Sequence, residues 1–365
     1  MIKFFDLYKQ DQKIHKKILK DINKLFKKGD FILGKEVEKF EKNFANFCNS
    51  KFAIGCANGT DALTIALKSL NLKNNSEVII PAMTYCSTAF SVINANLKPI
   101  LVDTEPLKST IDISKLKEKI TKKTKVIMPV HLYGSVSNIF SIRKLIKGKK
   151  IFLIDDCSQA HGAYDSDKKL KRNKVGSIAD ISCFSLYPGK NLGAYGDAGI
   201  ITTNNKKLYK IIKNIRNLGS EKKFIHNYIG VNSRLDTIQA IILNKKLKNL
   251  ERLNLKRKKI AHIYDKKILN NKIIKLKYSR NSVYHQYVIL VKDRNKLIRV
   301  FNKKKIQYNF HYPFAIHQLQ IFKNYFKKEK YINAERLARE GISIPIDPNL
   351  LMRDVATIVN TLNKF

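Results

Sequence analysis

Ser185 to Gly199 reads SLYPGKNLGAYGDAG and joins two apolar runs, residues 181–186 and 199–203. One lysine, Lys190, stands within it, just after Pro188-Gly189 and ahead of Asn191, Gly193, Gly196 and Gly199. So much glycine lets a backbone turn sharply and approach a ligand closely. A lysine held in such a turn at the end of a buried strand has the setting of a Schiff-base lysine. A β-hairpin with an exposed lysine at its tip would explain the same letters. The neighbouring stretches must decide between the two.

Upstream, residues 52–56 form a short apolar run, followed by Ala57-Asn58-Gly59-Thr60-Asp61 and an apolar-periodic segment through Leu70. This predicts a strand, a small-residue turn and a helix start, with Asp61 in the first turn. Free N–H groups at such a helix start suit a phosphate, although an ordinary capped helix fits as well. Further strands are expected at 77–81, 99–102, 125–130 and 151–154, the last running into Asp155-Asp156. Helical patterns at 36–47, 87–95, 115–120 and 139–146 alternate with them. Polar residues collect past the strand ends, which is the pattern of an open α/β fold with a mostly parallel sheet and ligands at the carboxyl edge.

Beyond Gly199 the character changes. A helix is expected at 208–217, a polar loop at 219–232, and one long lysine-rich helix from 235 to about 269, a spine between domains. A strand at 284–291 and helices at 296–304, 335–340 and 352–362 complete a smaller α+β unit. The expected division is a large α/β domain over 1–245 and a small C-terminal α+β domain over 246–365, as suits a chain of 365 residues.

Composition narrows the function. Apolar residues make up 44%, enough for a well-buried interior. Lys and Arg number 71 against 29 Asp and Glu, a net charge of +42 that raises nucleic acid as a partner. The lysines are spread over the whole chain, however, so the expectation is attraction of small anions, with nucleic acid a lesser alternative. The 5 cysteines, Cys48, Cys56, Cys86, Cys157 and Cys183, form no C-x-x-C pair, which argues for a reducing compartment and against zinc. With no signal-peptide pattern and no apolar run near the ~20 residues of a membrane span, a cytoplasmic, soluble protein is expected.

Four stretches together offer what a phosphorylated aromatic aldehyde needs. Lys190 can form the imine, and Asp156 can pair with a protonated pyridine nitrogen and keep the ring an electron sink. Gln159 can hydrogen-bond the ring's phenolic oxygen, and Tyr85 offers a face for stacking. Gly59, Thr60 and Ser185 can donate to the phosphate. Read one at a time, Asp156 is as well explained as a helix cap, Tyr85 as a core aromatic and Ser185 as a strand hydroxyl.

At this point the chain resembles the sugar aminotransferases of the DegT/DnrJ/StrS family, fold-type I pyridoxal 5'-phosphate enzymes, over nearly its whole length. The resemblance is carried by FILGKEVEKFE, NGTDAL, EVIIPAMTY, PVHLYG, DDCSQAHGA, SLYPGKNLGAYGDAG, GVNSRLDTIQA and FHYPFAIH. It implies Lys190 as the imine lysine, Asp156 as the pyridinium partner, Gln159 at the phenolic oxygen, Tyr85 on the ring, and Gly59, Thr60 and Ser185 on the phosphate. Asn232 would reach that phosphate from a neighbouring subunit, which implies a homodimer with shared active sites. L-Glutamate is the implied amino donor. Tyr187 in SLYPGK, together with LGSEKKF and FHYP, resembles the subgroup that aminates the 3-keto group of dTDP-linked 6-deoxyhexoses; amination at the 4-position is the alternative. Tyr187, His311 and Tyr312 would then line the sugar pocket, the last two from the same or the partner subunit; from their charge alone, Arg234 and Lys223 could offset the diphosphate. Asp155 stands where glutamate is usual, Leu218 and Phe224 where tyrosine is usual, and the loop 165–174 is longer and more basic. Retention of Lys190 sets the chain apart from the family's dehydratase branch.

Overall fold

A computed structural model describes residues 1–165, 173–326 and 329–365. Seven short, β-rich runs form one sheet: β1 (Phe52–Cys56), β2 (Glu77–Pro81), β3 (Lys98–Val102), β4 (Thr124–Ile127), β5 (Phe152–Asp156), β6 (Ile181–Ser185) and β7 (Gly199–Thr203). Their order is β1-β7-β6-β5-β4-β2-β3. The pairings among β2 to β6 are parallel, whereas β7 runs antiparallel to both β1 and β6. All five residues of β2 and of β7 are buried, as expected of strands covered on both faces. Alternation survives inside those apolar runs: Val78 and Ile80 enter one core with Ile154, while Ile79 enters another with Leu153, Ile139 and Ile142.

The helices that matter for the site are α1 (His15–Lys28), α2 (Lys35–Cys48), α3 (Gly59–Lys68), α4 (Cys86–Asn94), α5 (Lys206–Ile215), α6 (Thr237–Leu247) and α7 (Leu250–Lys267). The long helix expected over 235–269 is thus two. The ladder slips at Asn249, whose N–H goes to the Lys246 carbonyl at 3.0 Å in a tightened turn before α7 begins. A second sheet of β8 (Ile273–Lys275), β9 (Tyr287–Val291) and β10 (Gly341–Ile344) is antiparallel throughout. It packs on Tyr264, Phe301, Val355 and Ile358. The strand expected from 284 starts three residues later. Tyr284 holds a left-handed φ of 45°, and Val283 and Gln286 donate instead to Gly134 and Tyr133. That detour carries His285 toward the first sheet. The expected division at 245 falls within α6, and Ile2 pairs with the Lys305–Gln307 segment.

Candidate active site

β1, β2, β5 and β6 run in one direction and end at a common edge, where Gly59, Tyr85, Asp156 and Ser185 stand. β6 and β7 do form a hairpin, and the stretch 185–199 is its connection. Its lysine is not an exposed tip. Lys190 is half-buried, its N–H donates to the Tyr187 carbonyl at 2.9 Å, and the loop folds back as Ala194 N–H reaches the Leu186 carbonyl at 2.7 Å. A side chain at Gly193 would meet the Pro188 carbonyl oxygen at 2.3 Å, so the fold-back needs glycine there. Burial draws the Lys190 ammonium down from 10.5 to about 8, with Asp156 pulling the other way.

Asp156 closes β5. Its Oδ1 accepts the Ser158 N–H at 3.0 Å, and its Oδ2 accepts the Thr88 hydroxyl at 3.0 Å. Thr88 is in turn 2.9 Å from Thr84, which supplies the proton since Thr88's goes to the carboxylate. Gln159 sits one turn on. Its Oε1 accepts Tyr133 N–H at 2.7 Å and its Nε2 donates to Tyr312 Oη at 2.9 Å. The rings of Tyr312 and Tyr85 lie 5.3 Å apart. Tyr133 also donates its hydroxyl to the His311 carbonyl, and His311 Nδ1 is 2.7 Å from Ser343 Oγ on β10. The two sheets therefore meet beside Gln159. Burial and then Lys190 lower the His311 imidazole to about 4, so it stays neutral.

The N-terminus of α3 has the form of a phosphate cradle. Asn58 caps the helix by accepting Asp61 N–H at 2.8 Å, which leaves the first N–H groups of the helix, Gly59 and Thr60, without intrahelical partners. Ser185 closes the cradle. A Cβ on Gly59 would fall 2.6 Å from Ser185 Cβ and 3.2 Å from its Oγ, so only glycine keeps the space open. Thr60 adds a hydroxyl, held 2.7 Å from Ser87. An ammonium-bearing turn, a buried carboxylate fixed by two donors, an exposed Tyr85 face and a helix N-terminus converge at one edge. That donor set fits pyridoxal phosphate.

Other expected residues stand apart within the single chain. Asn232 is exposed and bridged to Asn217, and Arg234 Nη1 donates to Asn217 Oδ1 at 3.3 Å. Lys223 lies 5.2 Å over the exposed Phe224 ring, and both border a cavity of about 550 Å³ with Arg216, Leu218 and His226. Tyr187 is exposed beside the lysine turn. Of the basic loop expected at 165–174, residues 166–172 lie outside the described residues. Sequence reasoning missed several side chains. Thr88 holds Asp156. Asn191 Nδ2 donates to Asn254 at 2.9 Å and its Oδ1 meets His285 Nδ1 at 3.1 Å. Burial, reinforced by Lys190, drives the His161 imidazole down to about 3. His161 and Asn191 lie inside quoted motifs, whereas His285 carried no signal, because it arrives through the detour before β9.

The model of the DegT/DnrJ/EryC1/StrS aminotransferase family matches residues 12–363. The chain belongs to that family. It is a pyridoxal-phosphate aminotransferase with the α/β fold of its solved neighbours. It is 38% identical over 368 residues, covering 100% of itself and 99% of the relative, to a dTDP-3-amino-3,6-dideoxy-alpha-D-galactopyranose transaminase of Aneurinibacillus thermoaerophilus. It is 34% identical over 370 residues to a pleiotropic regulatory protein of Geobacillus stearothermophilus, covering 100% and 98%. Its fold superposes with TM-score 0.95 and 29% identity on the crystal structure of DesV from S. venezuelae in complex with a ketimine intermediate, over 100% of this chain and 98% of that one. Among the described residues, no helix is long and apolar enough to cross a membrane.

Proposed function

We propose that this aminotransferase moves an amino group from L-glutamate to the keto carbon of a nucleotide-linked sugar, at the 3-position of a dTDP-linked 6-deoxyhexose. The observation that carries the chemistry is the pairing of Lys190 with Asp156 beside the free N-terminus of α3. Pyridoxal phosphate, when bound, supplies the electron sink and carries the amino group between donor and acceptor. Everything else belongs to the chain. Lys190, with its affinity for protons lowered, would hold the cofactor through Nζ, and the same amine would take and return the proton at the substrate carbon. Asp156, its oxygens fixed by Thr88 and Ser158, presents negative charge to the pyridine nitrogen. Gln159 donates to the phenolic oxygen, Tyr85 stacks on the ring, and Gly59, Thr60 and Ser185 hold the phosphate.

The 3-position and the dTDP sugar are supported by the printed activity of the 38% identical relative and by Tyr187 in the lysine turn. Tyr187, His311 and Tyr312 would face the sugar, with Arg234 and Lys223 toward the diphosphate. The exposed Asn232 suits delivery to the phosphate of a second chain, so we propose a homodimer with shared sites. The two sheets serve as cores of a large and a small domain divided near 245. A second, regulatory reading has the net charge of +42 and the regulatory relative in its favour. The deciding experiment offers the cofactor-loaded protein L-glutamate with either a 3-keto or a 4-keto dTDP-6-deoxyhexose and identifies products by mass. The 3-amino sugar with 2-oxoglutarate is expected. A 4-amino product would overturn the position, and no amination with duplex-DNA binding at physiological salt would favour regulation.

A further inference from the structure

Behind Asp156 lies a pair of groups that the chemistry above does not use. His131 and Asp155 are both fully buried, and His131 Nε2 lies 3.1 Å from Asp155 Oδ2. His131 Nδ1 accepts the Ser137 N–H at 3.0 Å, so the ring proton sits on Nε2 and is donated to the carboxylate. With both ring nitrogens committed, the cluster that His131 and Asp155 make with Cys157 is a hydrogen-bonded pair and not a metal site. The ring thereby staples residue 131 to residue 137. The staple is tightened by Ser137 Oγ donating to the Val130 carbonyl at 2.9 Å and by His131 N–H donating to the Asp156 carbonyl at 3.0 Å.

What the staple encloses is a strained turn. Tyr133 has φ 60° and Gly134 φ 86°, a left-handed pair that for a tyrosine persists only when its surroundings enforce it. This conformation aims Tyr133 N–H at Gln159 Oε1, 2.7 Å away. An amide has two ends. With its carbonyl spent on Tyr133, Gln159 must turn its NH2 toward Tyr312 and the cofactor ring. We propose that the Asp155–His131 pair is a positioning device for Gln159: it holds the 131–137 turn so that Gln159 presents donors, not its carbonyl, to the phenolic oxygen. This rests on the role proposed above for Gln159. The carboxylate does its part with one oxygen only, since Asp155 Oδ1 has no hydrogen-bond partner among the described residues.

The test uses cofactor-loaded protein and the visible absorbance of bound pyridoxal phosphate, titrated with pH. Loss of a donor to the phenolic oxygen strengthens that oxygen's hold on the neighbouring proton, so the absorbance transition moves to higher pH. Gln159→Ala alone tests the underlying reading; if its transition stays put, Gln159 does not face the ring. Asp155→Asn keeps the shape and removes the charge. It is expected to keep the melting temperature within a few degrees, move the transition the same way as Gln159→Ala, and lower kcat by about 2- to 30-fold at unchanged KM, the range of a remote coupling. Asp155→Glu should restore both. In the double variant Asp155→Asn/Gln159→Ala, the second change should add nothing beyond Gln159→Ala. Fully additive effects, or lost stability with an unmoved transition, would overturn the proposal. Should Asp155→Asn fail to fold, His131→Gln retains the donor to Asp155 and releases Ser137, and it must move the same transition.

Discussion

Two lysines, Lys246 buried and Lys190 half-buried, divide a structural role from the chemical one proposed above. Lys246, on α6, is 4% exposed and its Nζ lies 2.7 Å from Asp11 Oδ2, itself 3% exposed. Tyr195 donates its hydroxyl to the same oxygen at 3.1 Å and places its ring 5.0 Å under the ammonium. Lys190, in the turn after β6, has no carboxylate within 4.0 Å of its Nζ among the described residues; Asp156 acts on it from farther off. Burial lowers both ammoniums, but Lys246 is held up by an adjoining partner, whereas Lys190 falls to about 8. A buried charge that is paired ties segments together. One left without a close partner becomes an amine that can react near neutral pH.

Removing the two lysines should therefore do opposite things. Lys190→Met should abolish covalent capture of pyridoxal phosphate and cut turnover by at least ~10²–10⁴-fold, the general acid–base share alone; below about pH 8 its melting temperature should rise, because the cost of holding that ammonium out of water is gone. The pH dependence has a definite sign. Capture needs the neutral amine, so its rate in cofactor-free protein should rise about tenfold per pH unit up to about 8 and then level off, not climb on toward 10.5. Because the folded value lies below the unfolded one, the unfolded chain binds more protons between about 8 and 10.5. Lys190 thus adds stability as pH rises through that window, and Lys190→Met should erase that slope. Stopped-flow absorbance and thermal melts at several pH values check both. A capture rate still climbing above pH 9 would break the comparison.

Lys246→Met should leave turnover per folded molecule within about twofold and cost about 3–5 kcal/mol of stability, since it strands the Asp11 charge in the interior. Asp11→Asn/Lys246→Met should be less damaging than Lys246→Met alone, because no unpaired charge remains. Urea titration of the three proteins decides it. A double variant weaker than the single would mean that the pair is not the anchor it resembles.

Lys190 stood out in the sequence and Lys246 did not. Lys190 stood out because its stretch carries a local signature: a proline, several glycines and an apolar run on each side. The same holds for α3 and its turn, for Asp156 at the end of β5, and for the strands of the main sheet, whose doubly buried faces read as continuous apolar runs. Lys246 could not be read, because its partner lies 235 residues away in sequence and lysine is abundant throughout. His285 was hidden for a related reason. It enters through a left-handed Tyr284 that alternation of apolar residues does not reveal. The break between α6 and α7 was missed because the lysine-rich periodicity continues across Asn249, whereas the hydrogen-bond ladder does not. Asn232 shows a further limit: the role expected of it depends on a second chain.

Tyr195 connects the two regions, and removing only its hydroxyl is the finest probe of their independence. The hydroxyl stays protonated at ordinary pH, since burial and then Asp11 push it upward, so it acts purely as a donor. In Tyr195→Phe, Asp11 Oδ2 still holds Lys246, and no charge is stranded. The backbone of the lysine loop also stays anchored, because Tyr195 N–H donates to Gln239 Oε1 at 2.9 Å. The expected loss is about 1.5–3 kcal/mol, one hydrogen bond to a charged acceptor, with turnover and the visible absorbance of the bound cofactor unchanged. Melts and steady-state kinetics on the same sample measure both. A turnover loss beyond about threefold at near-normal stability would show that the Asp11–Lys246 anchor reaches through Tyr195 to the geometry of Lys190, and the division between the structural lysine and the chemical one would no longer hold.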